Sequence, residues 1–352
     1  MRFPGLSFGR AQTSVGLDIG SGLIKLAVVS HKGDEPTLTK VAFIPVTNDA
    51  IVEGEVMDPG IVGEGIRAVL EAAGLQKAKQ VVTAVGGRDV IIKKIQMDRM
   101  KEDEAREVIR WEAEQHVPFD MENVELDFQI LDGEGSGPQM TVLLVAAKRE
   151  LIDQKTQLLA DAGVEPSVID VDAFALHNAF ELNYPEAMTG IVALANIGHE
   201  MTNVNVLDDG VPVLTRDIPL GTRRFKEDMQ RERGLSADEA ELVLQGQGAV
   251  EALEPSLRTR GDELALGIER AAAFLQTSSR SNAQLSRLYL TGGGSRMPGI
   301  DRMLGERLRV PVQLATPLAK LAVADDVFAG LDIDAIAPLL MLPIGLALRK
   351  AA

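Results

Sequence analysis

Residues 18–22, Asp-Ile-Gly-Ser-Gly, form a loop that suits phosphate binding, and Lys25 follows shortly after. Glycines let the backbone approach a phosphate closely, so that its N–H groups line an anion-binding concavity. Lys25 supplies a positive charge for a β- or γ-phosphate. Asp18 suits a Mg²⁺ ion held through water, because Mg²⁺ usually keeps several of its waters. Although the loop alone also fits a plain hairpin turn, we predict phosphate contacts from Gly20, Ser21, Gly22 and Lys25.

Two further loops later in the chain have a related composition. Residues 196–202 read Asn-Ile-Gly-His-Glu-Met-Thr, and residues 291–295 read Thr-Gly-Gly-Gly-Ser. Three glycines between a strand and a helix start favour an anion or nucleotide seat, although alone they also fit a flexible connector. All three loops together, placed on a repeated strand pattern, favour a nucleotide site over separate turns.

The elements that must position these loops show an internal repeat. Residues 13–44 and residues 190–218 both read as strand, glycine loop, strand, turn and strand. Both copies place a small acidic or amide residue, then Ile and Gly, directly after an apolar strand. Such similarity indicates a duplicated architecture. We therefore predict two similar domains that face each other, over residues 1–188 and 189–335.

A different pattern between the repeats predicts an inserted α+β subdomain at about residues 88–165. Strand-like alternation over Val90–Met97 precedes a helical pattern over Glu102–His116. Pro118 ends that helix, because the residue before a proline avoids helical geometry. Two strands joined by a Gly/Ser-rich loop at 133–138 follow, and a last helix closes the insert.

The second half carries its own helical patterns. Ser236, with Glu239 three residues later, is a capping box that marks a helix start. We predict a helical subdomain at about residues 222–282, with helices over Arg223–Gly234, Ala237–Leu244 and Arg260–Ser281.

The apolar stretch 335–348 is the nearest approach to a membrane span. It falls short of the ~20 apolar residues that a spanning helix needs, and prolines interrupt it. We predict that residues 336–352 form a C-terminal helix that packs back on the first domain, and a membrane-associated tail is the alternative. The first residues lack the apolar core of a secretion signal.

Composition limits the classes of function. The 352 residues suit two domains better than one core. The absence of cysteine excludes disulfides, thiol catalysis and Cys-ligated metals. The formal net charge of -16 argues against broad contact with nucleic-acid phosphates or an anionic bilayer. We therefore expect no nucleic-acid partner, and contact with a membrane only through partner proteins.

The insert resembles the type IV pilus assembly PilM family. The resemblance rests on WEAEQHVPFDMENVELDFQIL, on VLLVAAKRELIDQKTQLLADAGVEPSVIDVDAFAL and on the C-terminal PIGLALR. It covers roughly residues 13–350. The three glycine loops are less specific, because they are similar to the phosphate-1, phosphate-2 and adenosine motifs of the whole actin, Hsp70 and sugar-kinase superfamily.

The resemblance implies an α/β, actin-like (ribonuclease H-like) fold related to the division protein FtsA, with two domains around an ATP cleft. It further implies an ATP-binding cytoplasmic scaffold, peripheral to the bacterial inner membrane, that holds the cytoplasmic N-terminal peptide of PilN and joins it to the pilus machinery. The pilus motor ATPases and the platform protein are further candidate partners, and self-association is left open.

The resemblance also implies ATP and Mg²⁺ as cofactors. Asp18, Gly20, Ser21 and Lys25 fit the first phosphate motif, with Asp18 as the metal contact. A looser match concerns a glutamate that contacts the ribose. The remaining implied contacts are Asn196, Gly198 and Thr202 in the second motif, Gly292, Gly293, Gly294 and Ser295 in the adenosine motif, and Glu241 at the ribose.

Asn196 departs from the superfamily pattern, in which the second phosphate loop usually begins with Asp. An amide cannot act as a general base, and it is a weaker partner than a carboxylate for Mg²⁺ and its waters. ATP binding can still rely on Asp18 and on the backbone of the glycine loops. We therefore predict weak or absent hydrolysis.

Two rival interpretations stay open. A kinase of the sugar-kinase branch needs a carboxylate base in the cleft, and Asn196 removes the obvious one. An FtsA-like filament protein normally carries a C-terminal amphipathic helix, whereas this sequence ends at Lys350-Ala351-Ala352. Trp111, the only tryptophan, is predicted to anchor an interface or the core of the insert.

Overall fold

The computed structural model describes residues 13–349 except residue 34, residues 133–134, residue 136 and residues 279–283. Parts of the predicted 133–138 loop and of the helix predicted to end at Ser281 lie outside the described residues. The strands are β1 (Thr13–Ile19), β2 (Leu23–Ser30), β3 (Thr37–Pro45), β4 (Ile51–Val52), β5 (Glu55–Val56), β6 (Val81–Val85), β7 (Val90–Asp98), β8 (Val124–Ile130), β9 (Gln139–Lys148), β10 (Pro166–Val171), β11 (Ile191–Ile197), β12 (Thr202–Asp208), β13 (Val211–Ile218), β14 (Leu285–Thr291), β15 (Val312–Leu314) and β16 (Ala322–Val323).

Two sheets share one topology. The first has the order β10-β6-β1-β2-β3-β16, and the second has the order β13-β12-β11-β14-β15. In each, an antiparallel meander (β1 to β3, or β11 to β13) is extended by a parallel strand, β6 beside β1 and β14 beside β11. The repeat detected in the sequence thus has a direct counterpart in strand order.

The chain returns to the first sheet before residue 335, where the sequence analysis placed the end of the second domain. Ala322 and Val323 pair in parallel with Thr37 and Leu38 of β3. An edge strand exposes unpaired backbone groups, and β16 covers part of that edge.

The helices begin at local signals that the sequence provides. Asp58 caps the first helix by accepting a hydrogen bond from the N–H of Ile61, and the predicted capping box of Ser236 and Glu239 is present. The helices are α1 (Pro59–Ala72), α2 (Glu102–Glu114), α3 (Arg149–Asp161), α4 (Asp172–Asn183), α5 (Thr222–Arg233), α6 (Ala237–Leu244), α7 (Glu254–Ser278), α8 (Ile300–Leu308), α9 (Ile333–Ile336) and α10 (Met341–Leu348). The start of α7 precedes the predicted Arg260, and Pro255 in its first turn suits a helix start.

A third sheet, with the order β7-β9-β8, lies inside the first half of the chain. One of its faces packs on α2, with Ile95, Val142 and Leu144 buried against Ile109. The other face packs on the ends of β6 and β10 and on the start of α4. The sheet is therefore a layer between α2 and the rest of the first domain.

Helix α3 belongs to the core of the first domain, although the sequence analysis included it in the insert up to residue 165. Leu158 and Leu159 are buried with Ile66 of α1 and Leu17 of β1. The apolar face of α3 finds its partners in the first sheet, so the separately packed part of the insert spans β7 to β9.

The C-terminal helix packs between the two sheets. Met341 to Ala347 are buried in a core that includes side chains from β2, α4 and β11. Gly16 of β1 lies directly under Pro343 and Ala347, and Gly345 lies against the Ala175 carbonyl, so a side chain at either glycine would separate these elements. Within the described parts of the chain, the helices are too short or too polar to cross a membrane.

Candidate functional site

The candidate site lies where the carboxyl ends of parallel strands of both sheets meet. Strands β1, β6 and β10 run parallel, so that Asp18 at the end of β1, Gly86 after β6 and Asp172 after β10 lie at the same edge of the sheet. Strands β11 and β14 also run parallel, which brings Asn196 beside Thr291. Crevices outside the carboxyl ends of strands are the usual ligand sites of open α/β sheets.

The first loop contains a short, partly buried ion pair. Lys25 Nζ lies 2.6 Å from Asp18 Oδ2, because the two residues are cross-strand partners in the β1–β2 hairpin. Gly20 N–H donates to the Leu23 carbonyl at 3.1 Å, which closes the turn. The side chains predicted to hold metal and phosphate are therefore paired with each other.

The second loop repeats this backbone geometry with uncharged side chains. Gly198 N–H donates to the Met201 carbonyl at 2.8 Å, as Gly20 does to Leu23. Asn196 and Asn203 are the cross-strand partners, and Asn196 Nδ2 donates to Asn203 Oδ1 at 3.2 Å. The ion pair of the first loop is thus replaced by an amide–amide hydrogen bond.

Thr202 does not present its hydroxyl to the cleft. Its side chain is fully buried, and Oγ1 donates to the Leu220 carbonyl at 2.7 Å. Thr202 pairs with Ile197 as the buried Ile24 pairs with Ile19. The repeat therefore places Thr202 at an inward-facing position.

The two loops touch at Gly22 and His199. A Cβ at Gly22 would lie 2.8 Å from His199 Cβ, so this contact needs glycine. Burial and the positive charges of Lys226 and Arg223 lower the pKa of His199, despite the opposing effect of Glu200. A neutral imidazole therefore lines the joint between the loops, and Thr222 Oγ1 lies 3.4 Å from its Nδ1.

The third loop is fixed by close backbone contacts. Gly292 has a φ of 82°, and a Cβ there would meet Asn196 Oδ1 and the Ile197 carbonyl. Its N–H donates to the Pro338 carbonyl at 2.9 Å, which ties the loop to the C-terminal segment. Gly294 and Ser295 are buried, whereas Gly293 and Arg296 are exposed. Gly293 is therefore the glycine of this loop that a ligand can reach.

Glu241 lies at the edge of the second domain next to a small pocket. It accepts from Lys226 Nζ at 2.9 Å, and this ion pair lowers its pKa although burial opposes the shift. The pocket has a volume of about 160 Å³, and its lining includes Asn48, His199, Arg223, Lys226, Glu227 and Gln230. The predicted ribose contact is thus paired with Lys226, which lines a cavity that reaches His199 of the second phosphate loop.

Three charged residues that the sequence did not reveal also lie at the cleft, namely Lys155, Asp172 and Asp217. Burial, with repulsion from Asp18, raises the pKa of Asp172 to about 7, and Asp217 also raises it while Lys155 and Lys25 oppose. Burial lowers the pKa of Lys155 and raises that of Asp217. Perturbed pKa values cluster at functional sites.

Asp217 continues the amide chain of the second loop. Asn203 Nδ2 donates to Asp217 Oδ1 at 2.6 Å, and the N–H of Gly87 in the first domain also donates to this carboxylate. The second sheet therefore holds a carboxylate two strands away from Asn196, with Asn203 between them. Asp217 could have been found from the predicted hairpin, because it is the cross-strand partner of Asn203 on the neighbouring antiparallel strand.

A network of ion pairs connects the domains beside the cleft. Arg223 of α5 lies 2.9 Å from Asp49, 2.6 Å from Glu200 and 2.9 Å from Glu227. Glu200 is only 8% exposed, and it also accepts from the N–H of Glu53 at 2.7 Å. Asp49 and Glu53 both have positive φ, which is a strained conformation for residues other than glycine. Loop two is thereby attached to the β4–β5 hairpin of the first domain.

The donors present fit Mg²⁺ only as a companion of phosphate. Among the described residues, no group of three or more His, Asp or Glu side chains is arranged to hold a metal ion. Asp18 is the one carboxylate of the first loop, and phosphate oxygens and waters commonly complete such magnesium sites.

The sheets, the strand order and the cleft define the class of the protein as an actin-like fold. A model of the family described as type IV pilus assembly protein PilM matches residues 16–351. The chain therefore belongs to the type IV pilus assembly protein PilM family. The predicted fold class and family resemblance are confirmed.

Comparison with solved structures agrees with this assignment. A structure described as a PilM–PilN type IV pilus biogenesis complex is 30% identical, with a TM-score of 0.82, over 97% of this chain and 99% of that chain. MreB5 of Spiroplasma citri bound to ADP is 11% identical, with a TM-score of 0.51, over 95% of each chain, which shows the fold alone.

Among curated proteins, the cell division protein FtsA of Bacillus subtilis is 23% identical. The match covers 86% of this chain and 78% of FtsA. The predicted relationship to FtsA is thus confirmed at the level of sequence similarity.

Proposed function

We propose that this protein is an ATP-binding scaffold of the type IV pilus inner-membrane assembly complex that binds the cytoplasmic N-terminal peptide of PilN. The observation that carries the proposal is the similarity, over 97% of the chain, to a chain of a structure described as a PilM–PilN type IV pilus biogenesis complex. Membership of the PilM family supports it. The protein acts on the cytoplasmic side of the inner membrane, which it reaches through PilN, and links PilN to the pilus motor.

ATP with Mg²⁺ binds between the two glycine loops. Gly20, Gly22 and Gly198 have no side chain, so the backbone of both loops can approach the phosphates closely. Lys25 exchanges its bond to Asp18 for a bond to phosphate. Asp18 is then free to hold a magnesium water. Gly293 and Glu241 receive the adenosine end, which extends toward the pocket bordered by Lys226.

Hydrolysis is slow in this proposal. Glu200 of the second loop is paired with Arg223 and accepts from the N–H of Glu53. The carboxylates of neighbouring elements are Asp217, which accepts from Asn203, and Asp172, whose pKa of about 7 leaves it partly protonated at neutral pH. Neither takes the position of Asn196. The bound nucleotide therefore serves to hold the two domains together rather than to drive turnover.

The PilN peptide lies between the insert sheet and the edge of the first sheet. β8 is an edge strand of the insert sheet, and β10 is an edge strand of the first sheet. Leu131, directly after β8, and Ile169 of β10 pack against the same apolar cluster, so the two strands border one groove. Exposed strand edges accept extended peptides through main-chain hydrogen bonds.

Half-buried apolar side chains supply anchor points for such a peptide. Leu131, Ile152, Ile169 and Phe174 pack at the border between the insert and the first domain without being fully buried. Asp127 is exposed on β8, and its negative charge favours basic residues of the kind common in cytoplasmic juxtamembrane segments. The groove thus combines apolar anchors with attraction for a basic peptide.

A peptide-binding measurement tests this proposal. A labelled peptide with the cytoplasmic N-terminal sequence of PilN is titrated with wild type, Ile152→Ala and Phe174→Ala, and anisotropy gives the Kd. Interface anchors that matter typically contribute more than ~1 kcal/mol, so we expect each variant to bind at least about fivefold more weakly. Leu314→Ala, an exposed apolar residue of the second domain, is the matched control with unchanged affinity.

Deletion of β7 to β9 provides the stronger version of the same test. The deleted segment should spare α3, because Leu158 and Leu159 belong to the core of the first domain. If the shortened protein folds and still binds the peptide with full affinity, the groove is not the PilN site.

A further inference from the structure

The outer face of α2 carries a solvent-exposed tryptophan. Trp111 is 79% exposed, and it is the only tryptophan of the chain. Ala105, Ile109 and Ala113 form the opposite, buried face of the same helix. Because α2 covers the side of the insert sheet that faces away from the first domain, Trp111 lies on the outside of the molecule and away from the groove between β8 and β10.

Acidic side chains surround Trp111 at helical spacing. Glu107 precedes it by four residues and Glu114 follows it by three, and both are exposed on the same helix face. Glu104 lies one further turn away on that face. The helix as a whole has six carboxylates against two guanidinium groups, a formal charge of -4.

The arginines of α2 do not neutralise this face. Arg106 pairs with Glu102 at 3.0 Å and lies 5.3 Å above the Phe128 ring, and Arg110 donates to the Met121 carbonyl. Both side chains are thus directed toward the β8 side of the insert. Val108, 37% exposed, extends the apolar surface one turn from Trp111.

We propose that this face, formed by Val108, Trp111, Glu107 and Glu114, is a second docking surface that binds a basic segment of a protein partner. Arginine or lysine stacks favourably on an indole ring, and the surrounding carboxylates pair with the same cation. Tryptophan is also strongly enriched among the residues that dominate binding energy at interfaces. The surface is separate from the proposed PilN groove and therefore serves a different partner segment.

The negative charge of this face favours a basic segment over a second copy of the chain or an anionic membrane. A second copy of the chain carries a net charge of -16 and would bring two acidic faces together. An anionic membrane is repelled for the same reason. A segment that alternates basic and aliphatic residues matches both the indole and the carboxylates.

Calorimetry with a designed probe tests the proposal. The probe is a short peptide that alternates arginine and leucine, and its partner probe has glutamate in place of every arginine. We expect saturable binding of the arginine probe to wild type, at least about tenfold weaker binding to Trp111→Ala, and a comparable loss in Glu107→Lys. The glutamate probe should not bind.

Leu266→Ala is the matched control variant. Leu266 is 39% exposed on α7 and is also flanked by acidic residues, but Arg307 pairs with two of them, Asp262 and Glu269. Its substitution should leave probe affinity unchanged. Circular dichroism and unfolding temperature establish that each variant is folded.

Several outcomes would overturn the proposal. Equal affinity of the arginine probe for wild type and Trp111→Ala would show that the net charge alone attracts it. Sedimentation of wild type as a dimer, with Trp111→Ala as a monomer, would identify a second copy as the occupant. A shift of Trp111 emission on removal of residues 1–12 would identify the chain's own N-terminal segment instead.

Discussion

The two phosphate-type loops have the same backbone turn but opposite chemistry. In the first, Asp18 and Lys25 face each other as an ion pair, and in the second Asn196 and Asn203 occupy the equivalent cross-strand positions as amides. The first loop is charged and can exchange its internal pair for a ligand. The second holds no charge at these positions, and its one buried carboxylate, Glu200, is directed to the other domain.

This difference indicates that the two loops have different functions. The two loops occupy equivalent positions of the repeat, and we infer that the first binds phosphate while the second joins the domains. The amide side chains of Asn196 and Asn203 keep the shape of the turn but supply no charge for chemistry at the cleft. A scaffold that holds ATP without rapid turnover needs this combination.

A large loss of folding stability is expected when the connection made by the second loop is broken. Arg223→Ala leaves the buried Glu200 without its cation. Breaking a buried pair costs ~3–5 kcal/mol, and because Arg223 is partly exposed we expect a loss of ~2–3 kcal/mol in unfolding free energy. Urea unfolding measures it. Arg224→Ala, which pairs only with Glu227 at the surface, should change stability by less than ~0.5 kcal/mol.

The first loop should dominate ligand affinity. Lys25→Ala removes a charge-assisted contact worth ~1.5–3 kcal/mol, so ATP should bind about tenfold to hundredfold more weakly by calorimetry. Asn203→Ala, at the equivalent position of the second loop, should lose distinctly less. A larger loss for Asn203→Ala than for Lys25→Ala would reverse the comparison.

The pH dependence of ATP affinity should depend on Asp172. With a pKa of about 7, Asp172 is largely neutral at pH 6 and largely ionised at pH 8. Its ionisation adds negative charge near the phosphates, so affinity should fall as pH rises through 7. Because ATP itself titrates equally in both experiments, the difference between wild type and Asp172→Asn isolates this group.

The same group links stability to pH in the absence of nucleotide. The folded pKa lies above the ordinary value of 3.8, so its stabilising contribution is complete below that value and is lost as pH rises through about 7. A shift of this size corresponds to at most ~4 kcal/mol. Asp172→Asn should flatten the stability profile between pH 4 and pH 8, and parallel profiles for both proteins would contradict the assignment.

The smallest effect is expected from restoring a carboxylate. Wild type should turn over ATP below the ~1 s⁻¹ low end of typical enzymes, and Asn196→Asp should raise the rate only slightly. Asn203 Oδ1 now accepts a hydrogen bond from Asn196, and in the variant it would face the oxygens of the new carboxylate. The amide of Asn203 must therefore rotate before the carboxylate can act as a general base. A phosphate-release assay measures both rates.

The sequence predicted the features that depend on local spacing. The repeat, the glycine loops, the insert and the capping box at Ser236 all follow from short-range patterns. Asn203 could also have been found, because it follows Asn196 by the same interval that separates Lys25 from Asp18. That comparison also explains why Thr202, equivalent to the buried Ile24, lies in the core.

Other site residues had no local signal. Lys155, Asp172 and Asp217 come from three distant segments, and only the packing of α3, α4 and β13 brings their charges together. The contact of Arg223 with Asp49 depends on the closure of one domain on the other. Hydrophobic periodicity shows which face of an element is apolar, but it does not show which distant side chains come into contact in the folded protein.

Calorimetric titration of wild-type protein with ATP in the presence of Mg²⁺ decides whether the cleft is a nucleotide site. We expect saturable binding of one ATP per chain, with affinity that drops when Mg²⁺ is removed, because Asp18 then lacks its metal and repels the phosphates. Absence of saturable binding up to millimolar ATP would contradict the claim that the charged first loop forms a nucleotide site.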